Sequence, residues 1–163
     1  MDNLILIGMP GSGKSTLGVV LAKILGYEFI DSDLLIQKTE NRLLYQIIDQ
    51  EGIDGFEKIE NRVNASIEVD HTVVATGGSV VYCKEAMEHF KKIGKVVYLR
   101  LSPETLAARL GDLKTRGVVL KDGQTLESLY RERVPLYEKY ADIVVDEEGK
   151  SLEASLQAVL EAL

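Results

Sequence analysis

The sequence predicts a three-layer α/β fold, in which helices cover both faces of a parallel sheet. Short apolar runs of strand length alternate with segments of helical periodicity along the chain. A glycine-rich motif joins the first apolar run to the first helical segment. Apolar residues make up 45% of the 163 residues and charged residues 28%, which is typical of one globular domain. We therefore expect a single domain over residues 1–163, with right-handed crossovers between its strands.

The motif follows the first strand, Leu4 to Ile7, and reads Gly-Met-Pro-Gly-Ser-Gly-Lys-Ser-Thr from Gly8 to Thr16. It fits the Gly-x4-Gly-Lys-Ser/Thr phosphate loop at every fixed position. Glycines let backbone N–H groups turn toward phosphate oxygens, and the N-terminus of the next helix favours negative charge. Lys14 is expected to reach the outer phosphates of a triphosphate, and Ser15 to be a magnesium ligand. The predicted ATP-binding residues here are Gly11, Ser12, Gly13, Lys14, Ser15 and Thr16.

The first helix is predicted from Lys14 to Leu25, and a second strand from Tyr27 to Ile30 leads into Asp31-Ser32-Asp33. Carboxylates at the C-terminal end of a strand lie where open α/β sheets bind ligands. Asp31 is predicted to order water molecules around the magnesium ion. The side chain of Asp33 is predicted to point in the same direction as that of Asp31. A helix cap is the alternative interpretation, since Asp and Ser are favoured at that position.

Helical segments and a turn are predicted to follow. Residues 34–49 give short helical pieces broken near Asn41, and residues 51–55 give a polar turn. The spacing then predicts a helix over residues 56–69, with an apolar face of Phe56, Ile59, Val63 and Ile67. The other face carries Glu57, Lys58, Glu60, Asn61 and Arg62, and we expect such charges to be solvated.

The third strand is predicted from Thr72 to Thr76 and meets Gly77-Gly78-Ser79. Paired glycines there make a tight turn or let a ligand approach the backbone. Because the strand end should lie beside the phosphate loop, the ligand interpretation is favoured. The remaining predicted elements are a helix over 84–92, a strand over 95–101, a helix begun by Ser102-Pro103, a helix over 125–140 interrupted or bent near Pro135, a strand over 142–145 and a helix over 151–163.

A long glycine-containing segment, residues 111–124, interrupts this pattern. Loops of this length in compact domains are usually functional, so we predict a mobile lid. Arg116 is the cation expected to close over the transferring phosphate, because its planar fork of donors suits phosphate oxygens. The alternative is an arginine that is merely solvated on a loop.

Composition excludes several classes of function. The formal net charge is −7 and no Lys/Arg cluster stands out, which argues against a nucleic-acid-binding surface. No apolar run reaches membrane-spanning length, and the start lacks the basic region of a secretory signal, so we expect a cytoplasmic protein without membrane contact. The single cysteine, Cys83, cannot form an internal disulfide.

An ordered set of motifs resembles the shikimate kinase family over essentially the whole chain. The set comprises the phosphate loop, Asp31-Ser32-Asp33, Gly52 with Gly55-Phe56 and Glu60, Ala75-Thr76-Gly77-Gly78, Arg116, and Arg131-Glu132-Arg133-Val134-Pro135-Leu136-Tyr137 before Ala141-Asp142. The resemblance implies a phosphate-loop NTPase fold with five parallel strands ordered 2-3-1-4-5. It also implies an ATP- and Mg²⁺-dependent kinase of a small-molecule hydroxyl, most simply shikimate, in aromatic amino acid biosynthesis. A monomer is a separate expectation, which the resemblance does not supply.

The resemblance also implies residue roles. Asp33 is similar to the residue that holds substrate hydroxyls and accepts a proton, and Asp31 to the residue near magnesium. Arg133 resembles a binder of the substrate carboxylate, Arg116 the lid arginine, and Arg109 a residue packed against adenine. The substrate region spans about residues 31–62, and the glycine segment Gly77, Gly78 and Ser79 completes the predicted substrate-binding set with Asp33, Glu57 and Arg133.

Two positions depart from the family pattern. Glu57 stands where the family has the arginine of Phe-Arg-x-x-Glu, and Ser79 stands at a third glycine. A charge pair at contact distance is worth about 4 kcal/mol at an effective dielectric constant of 20, so the change at Glu57 bears on binding of a substrate carboxylate. Lys58, Arg62 or Arg42 could compensate, or the site could take a neutral or amine-bearing substrate. A kinase of another hydroxylated metabolite, and a nucleotide-binding protein without transfer activity, therefore stay open as alternatives.

Overall fold

The computed structural model describes residues 2–111 and 123–163, so Arg116 and most of the predicted lid lie outside the described residues. Within the described residues, one sheet of five parallel strands has the order β2-β3-β1-β4-β5. The strands are β1 (Asn3–Ile7), β2 (Glu28–Asp31), β3 (Thr72–Ala75), β4 (Gly94–Arg100) and β5 (Ile143–Asp146). The predicted strand order 2-3-1-4-5 is therefore confirmed.

Helices alternate with the strands and cover both faces of the sheet. They are α1 (Lys14–Leu25), α2 (Ser32–Glu40), α3 (Leu44–Ala65), α4 (Lys84–Ile93), α5 (Pro103–Leu110), α6 (Leu126–Tyr140) and α7 (Leu152–Ala162), with a short 3₁₀ helix at Val80–Tyr82. Helices α1 and α7 pack on one face, and α4, α5 and α6 on the other. A smaller apolar cluster joins α2 to α3 beside the sheet.

Alternation along the central strand explains this three-layer packing. Leu4 and Leu6 of β1 contact the cluster formed with α1 and α7, whereas Ile5 and Ile7 contact the opposite cluster. All of these side chains are buried, which accounts for an uninterrupted apolar run in place of polar and apolar alternation. Because β1, β2 and β3 pair in parallel, their C-terminal ends lie at one edge of the sheet, where the phosphate loop begins.

Helix α3 corrects one prediction. The polar turn expected over residues 51–55 is a kink within a continuous helical segment, since Gly52 alone leaves helical geometry with φ 73° and ψ 177°. A residue without a Cβ adopts that positive φ at little cost, so the helix changes direction and resumes at once. The helix also ends at Ala65, short of the predicted end at residue 69.

Several helix ends confirm their predicted chemistry. Ser102 caps α5, where its Oγ accepts a hydrogen bond from the Thr105 N–H at 3.2 Å, and Pro103 occupies the first turn. Asn41 ends α2 with φ 53°, at the predicted break. Helix α6 runs from Leu126 to Tyr140 as one element that includes Pro135. In the part of the chain that the structure describes, no helix combines the length and the apolar character needed to cross a bilayer.

Candidate active site

A cavity of about 410 Å³ lies at the C-terminal edge of the sheet. Four separate segments form it: the phosphate loop, the start of α2, the residues after β3 and the end of α5. Its lining is Pro10, Gly11, Gly13, Lys14, Ser15, Thr16, Asp33, Thr76, Gly77, Gly78 and Leu110. The structure thus brings most of the sequence-predicted ATP-binding residues together with Asp33 and the glycine pair, at the position where open α/β sheets bind ligands.

Lys14 is folded back onto the phosphate loop. Its Nζ donates hydrogen bonds to the carbonyl oxygens of Gly8 at 2.8 Å and Met9 at 2.9 Å, and lies 3.4 Å from the buried Ser12 Oγ. Burial lowers the pKa of Lys14 from 10.5 to about 8, with the charge of Asp33 opposing the shift. A phosphate anion in the cavity would favour the charged ammonium and offer it oxygens in exchange for the two carbonyls.

Ser15 and Asp31 form an oxygen pair beside the loop, where the Ser15 hydroxyl donates to Asp31 Oδ2 at 2.8 Å. The other oxygen, Oδ1, accepts from the N–H groups of Asp33 at 3.0 Å and Leu34 at 3.3 Å, which caps α2. The helix-cap interpretation of Asp31 is therefore confirmed. Its magnesium role stays a prediction, and the oxygen that such a role would use faces Ser15. A hydroxyl with one carboxylate oxygen fits Mg²⁺, which prefers hard oxygen ligands and takes the rest from water and phosphates.

Asp33 lies in the first turn of α2 and lines the same cavity as Lys14. Burial, and secondarily the charge of Asp31, raises the pKa of Asp33 from 3.8 to about 6, and Lys14 opposes the shift. Gly77 makes room for this carboxyl: a Cβ at Gly77 would lie 2.6 Å from Asp33 Oδ1, closer than real Cβ atoms approach. The glycine after β3 therefore lets a side chain of α2 reach the cavity.

Glu60 contradicts its predicted place on a solvated helix face. It is fully buried, and its carboxyl oxygens lie 2.8 Å and 2.9 Å from the Ser79 Oγ. Burial raises the pKa of Glu60 from 4.5 to about 8, and the Ser79 hydrogen bond and the Arg133 charge oppose the shift. The signal was present in the sequence: Glu60 follows Phe56 by four residues and precedes Val63 by three, so it belongs to the apolar face of α3.

Arg133 of α6 is buried at the edge of the cavity, with 1% of its surface exposed. Its guanidinium lies 5.4 Å from the centre of the Tyr82 ring, and a Cβ at Gly78 would lie 2.9 Å from Nη1. One turn further along α6, the Tyr137 hydroxyl donates to the Gly78 carbonyl at 2.6 Å. The absence of a side chain at Gly78 therefore lets α6 and Arg133 pack closely against the residues that follow β3.

Arg109 of α5 reaches the phosphate loop from the other side, where its Nη1 donates to the Gly11 carbonyl at 3.2 Å. Glu147, which directly follows β5, is buried nearby and was not singled out by the sequence. Burial raises the pKa of Glu147 to about 7, while the charges of Arg109 and Lys14 oppose the shift. A carboxylate at a strand end was the available signal, of the same kind as Asp31.

Glu57 lies outside the lining of this cavity. It borders a second cavity of about 360 Å³ between α3 and the start of α4, lined by Asp54, Glu57, Lys58, Asn61, Tyr82, Cys83, Lys84 and Glu85. Two of the suggested compensating cations are engaged elsewhere: Arg42 pairs with Glu40 and Glu51, and Arg62 pairs with Glu40. The third, Lys58, borders the second cavity with Glu57.

The family model and the curated relatives identify one family. The family model described as shikimate kinase matches residues 10–163. A shikimate kinase of Moorella thermoacetica is 34% identical over 99% of this chain and 94% of the relative, and one of Francisella tularensis subsp. novicida is 41% identical over 92% and 88%. Among solved structures, shikimate kinase from Acinetobacter baumannii in complex with shikimate has a TM-score of 0.88 and 31% identity, covering 99% of this chain and 92% of that chain.

Proposed function

Because the chain belongs to the shikimate kinase family, we propose that it transfers the γ-phosphate of ATP to a hydroxyl group of shikimate. The observation that carries the proposal is that the phosphate loop and Asp33 line one cavity. A phosphate donor and a hydroxyl acceptor must meet in line for transfer, and a shared cavity supplies that proximity. Shikimate is the acceptor to test first, since the Acinetobacter baumannii relative is a complex with shikimate.

The phosphate loop forms the donor half of the site, where it would bind ATP. Its backbone N–H groups, Ser12 and Thr16 would cradle the phosphates, and Lys14 would exchange its carbonyl partners for phosphate oxygens. Ser15 and Asp31 would hold Mg²⁺, which when bound neutralises phosphate charge. Arg109 would pack near the base, on the support of its contact with Gly11.

The acceptor half of the site comprises Asp33, Arg133 and residues 77–79, which would bind the substrate. Asp33 would orient the attacking hydroxyl and take its proton, for which a pKa of about 6 leaves it ionised at neutral pH. Arg133 would attract the substrate carboxylate, with Gly77, Gly78 and Ser79 forming the floor. Glu57 would lie at the outer boundary of this region, at the second cavity.

The part of the proposal that concerns the lid, residues 111–124, depends on the sequence alone. Arg116 lies outside the described residues, and we propose on the family resemblance that it contacts the transferring phosphate. A single domain, a monomer, a cytoplasmic location and the absence of nucleic-acid and membrane partners likewise stay predictions.

The test is ADP formation from ATP and Mg²⁺ by the purified protein, with shikimate compared against neutral polyols, sugar acids and amino alcohols. Saturable turnover with shikimate alone supports the proposal. Turnover with another compound, but none with shikimate, would show that Glu57 marks a changed substrate. ATP binding without transfer to any acceptor would support the nucleotide-binding alternative.

Two isosteric variants separate the roles. Asp33→Asn should lower kcat by about 10³-fold, within the range for loss of a general base, whereas the exposed Asp49→Asn in α3 should match the wild type. Asp31→Asn keeps an oxygen that can cap α2, so it should raise the Mg²⁺ concentration needed for half-maximal rate without lowering the melting temperature. An unchanged rate for Asp33→Asn would remove Asp33 from the mechanism.

A further inference from the structure

Beside the residues proposed to bind the acceptor, the buried carboxyl group of Glu60 faces the buried hydroxyl group of Ser79. Glu60 is fully buried on α3 and Ser79, which follows the glycine pair, is 5% exposed. The Ser79 Oγ lies 2.8 Å from Glu60 Oε1 and 2.9 Å from Oε2. Nothing in the mechanism above uses either side chain for chemistry, although both adjoin residues that it does use.

Full burial of Glu60 favours a protonated carboxyl, and the two short distances fit one. A hydroxyl has one hydrogen, so Ser79 donates one full hydrogen bond to a carboxylate and can only share it between the two oxygens. When the carboxyl carries a proton, Ser79 donates to one oxygen while the other oxygen donates back to Oγ. Both short contacts are then full hydrogen bonds, and no buried charge is left to stabilise.

Asp33 lies close enough to make a second charge costly. The position of a Cβ at Gly77 is 2.6 Å from Asp33 Oδ1 and 3.2 Å from Glu60 Oε2, so the two carboxyls converge on one point. Like charges at such a separation in a buried site oppose each other's ionisation. Glu60 is fully buried and has a hydroxyl within hydrogen-bond distance of both oxygens, so Glu60 is the member of the pair that stays neutral.

We propose that Glu60 is a positioning residue, paired with Ser79 as an uncharged carboxylic acid beside Asp33, and that its proton keeps a second negative charge out of the acceptor pocket. The proposal rests on the proposed function, because it concerns the binding of an anionic acceptor. Among the residues that the structure describes, the ionisable groups that face Glu60 are Asp33 of α2, Arg133 and Tyr137 of α6, Cys83 before α4, and Glu57 of its own helix. Ionisation of Glu60 would offset the positive charge of Arg133 and repel the carboxylate of the acceptor.

Direct titration of Glu60 tests the protonation state without any activity. In protein labelled with ¹³C at glutamate carboxyl carbons, Glu60→Gln identifies the Glu60 signal by its loss. We expect that signal to titrate near pH 8, far above the exposed glutamates. A midpoint among the exposed glutamates would overturn the proposal, whether or not the protein phosphorylates shikimate.

The pH profile tests the consequence. At saturating MgATP, where bound phosphates keep Lys14 charged, kcat/KM for shikimate should fall about tenfold between pH 7 and pH 9, the size of effect expected from one added like charge. In Glu60→Gln the ratio of the two values should approach one, whereas the exposed Glu68→Gln should keep the wild-type ratio. A decline that persists in Glu60→Gln would overturn the role of this proton.

Ser79→Ala tests the partner. Burial dominates the protonation of Glu60, so its titration should stay far above the exposed glutamates in this variant. Loss of the anchoring hydroxyl should raise KM for shikimate several-fold at every pH while KM for ATP stays unchanged. A fall in melting temperature with both constants unchanged would show that Ser79 has a structural role only, and would overturn the pairing as a positioning device.

Discussion

The donor and acceptor halves of the candidate site are built in different ways. The donor half comes mainly from one continuous stretch, residues 8–16, whose backbone and Lys14 form the loop by local contacts. The acceptor half gathers Asp33, Glu60, Ser79 and Arg133 from four segments far apart in sequence. A local motif needs the correct residues in one place, whereas a dispersed wall needs the whole fold to be correct. Substitutions should therefore act on phosphate chemistry in the first half and on fit and charge in the second.

The largest expected effect is the loss of kcat on substitution of Lys14 in the donor half. Lys14→Ala removes the cation that faces the phosphates, and loss of one such charge-stabilising group costs about 10³-fold in kcat. The exposed Lys23→Ala on the same helix should behave as the wild type. Steady-state kinetics with shikimate measures both variants, and circular dichroism checks the fold. Retention of more than a tenth of the wild-type kcat by Lys14→Ala would contradict the donor role.

A smaller effect is expected in the acceptor half at Gly77. Gly77→Ala places a Cβ 2.6 Å from Asp33 Oδ1, so the carboxyl must move. Misplacement of a reacting group by about 1 Å can cost about 10²-fold, and we expect a loss of that size in kcat/KM for shikimate. The dissociation constant for ATP, measured by calorimetry, should stay within about twofold, because the phosphate loop is untouched. Equal losses for both ligands would show that the two halves are not separable.

The same contrast between local and dispersed residues explains which features could be predicted from the sequence. Helix α1 occupies the predicted residues Lys14 to Leu25, because phosphate-loop chemistry begins it and Gly26 ends it in the left-handed region with φ 71°. Strand order and family were also predicted and are confirmed. These features depend on local patterns and on an ordered motif set that spans the chain.

The misses depend on long-range packing. Glu60 looks like a surface residue by composition, and its burial follows from Ser79 and Cys83 arriving from after β3. The kink at Gly52 looked like a turn because periodicity cannot show that a helix resumes in a new direction. For Glu60 the spacing from Phe56 and Val63 indicated the buried face, but its polar partner comes from a distant segment that no local pattern encodes. Residue roles across the acceptor half accordingly stay predictions.

Glu60 in the acceptor half should also make the stability of the protein depend on pH. Folding raises the pKa of Glu60 from 4.5 to about 8, so between these values the folded protein holds a proton that the unfolded chain has released. The free energy of unfolding therefore decreases as pH rises from about 4.5 to about 8, by roughly 2–4 kcal/mol from this group. Glu60→Gln should lose that part of the slope, as measured by urea unfolding at pH 5 and pH 8. Parallel curves for the two proteins would contradict the buried acid.

The smallest expected effect lies at the outer support of the acceptor half. Arg62 of α3 pairs with Glu40 of α2 at 3.2 Å, but the arginine side chain is 61% exposed. Exposed ion pairs contribute about 0–1 kcal/mol, so Arg62→Ala should lower the free energy of unfolding by less than about 1 kcal/mol and leave KM for shikimate unchanged. Glu40→Gln provides the matched change on the other partner, and the double variant isolates the pair energy. A several-fold rise in KM for either variant would mean that the angle between α2 and α3 controls the acceptor pocket, and that its wall extends beyond the buried residues around Gly77.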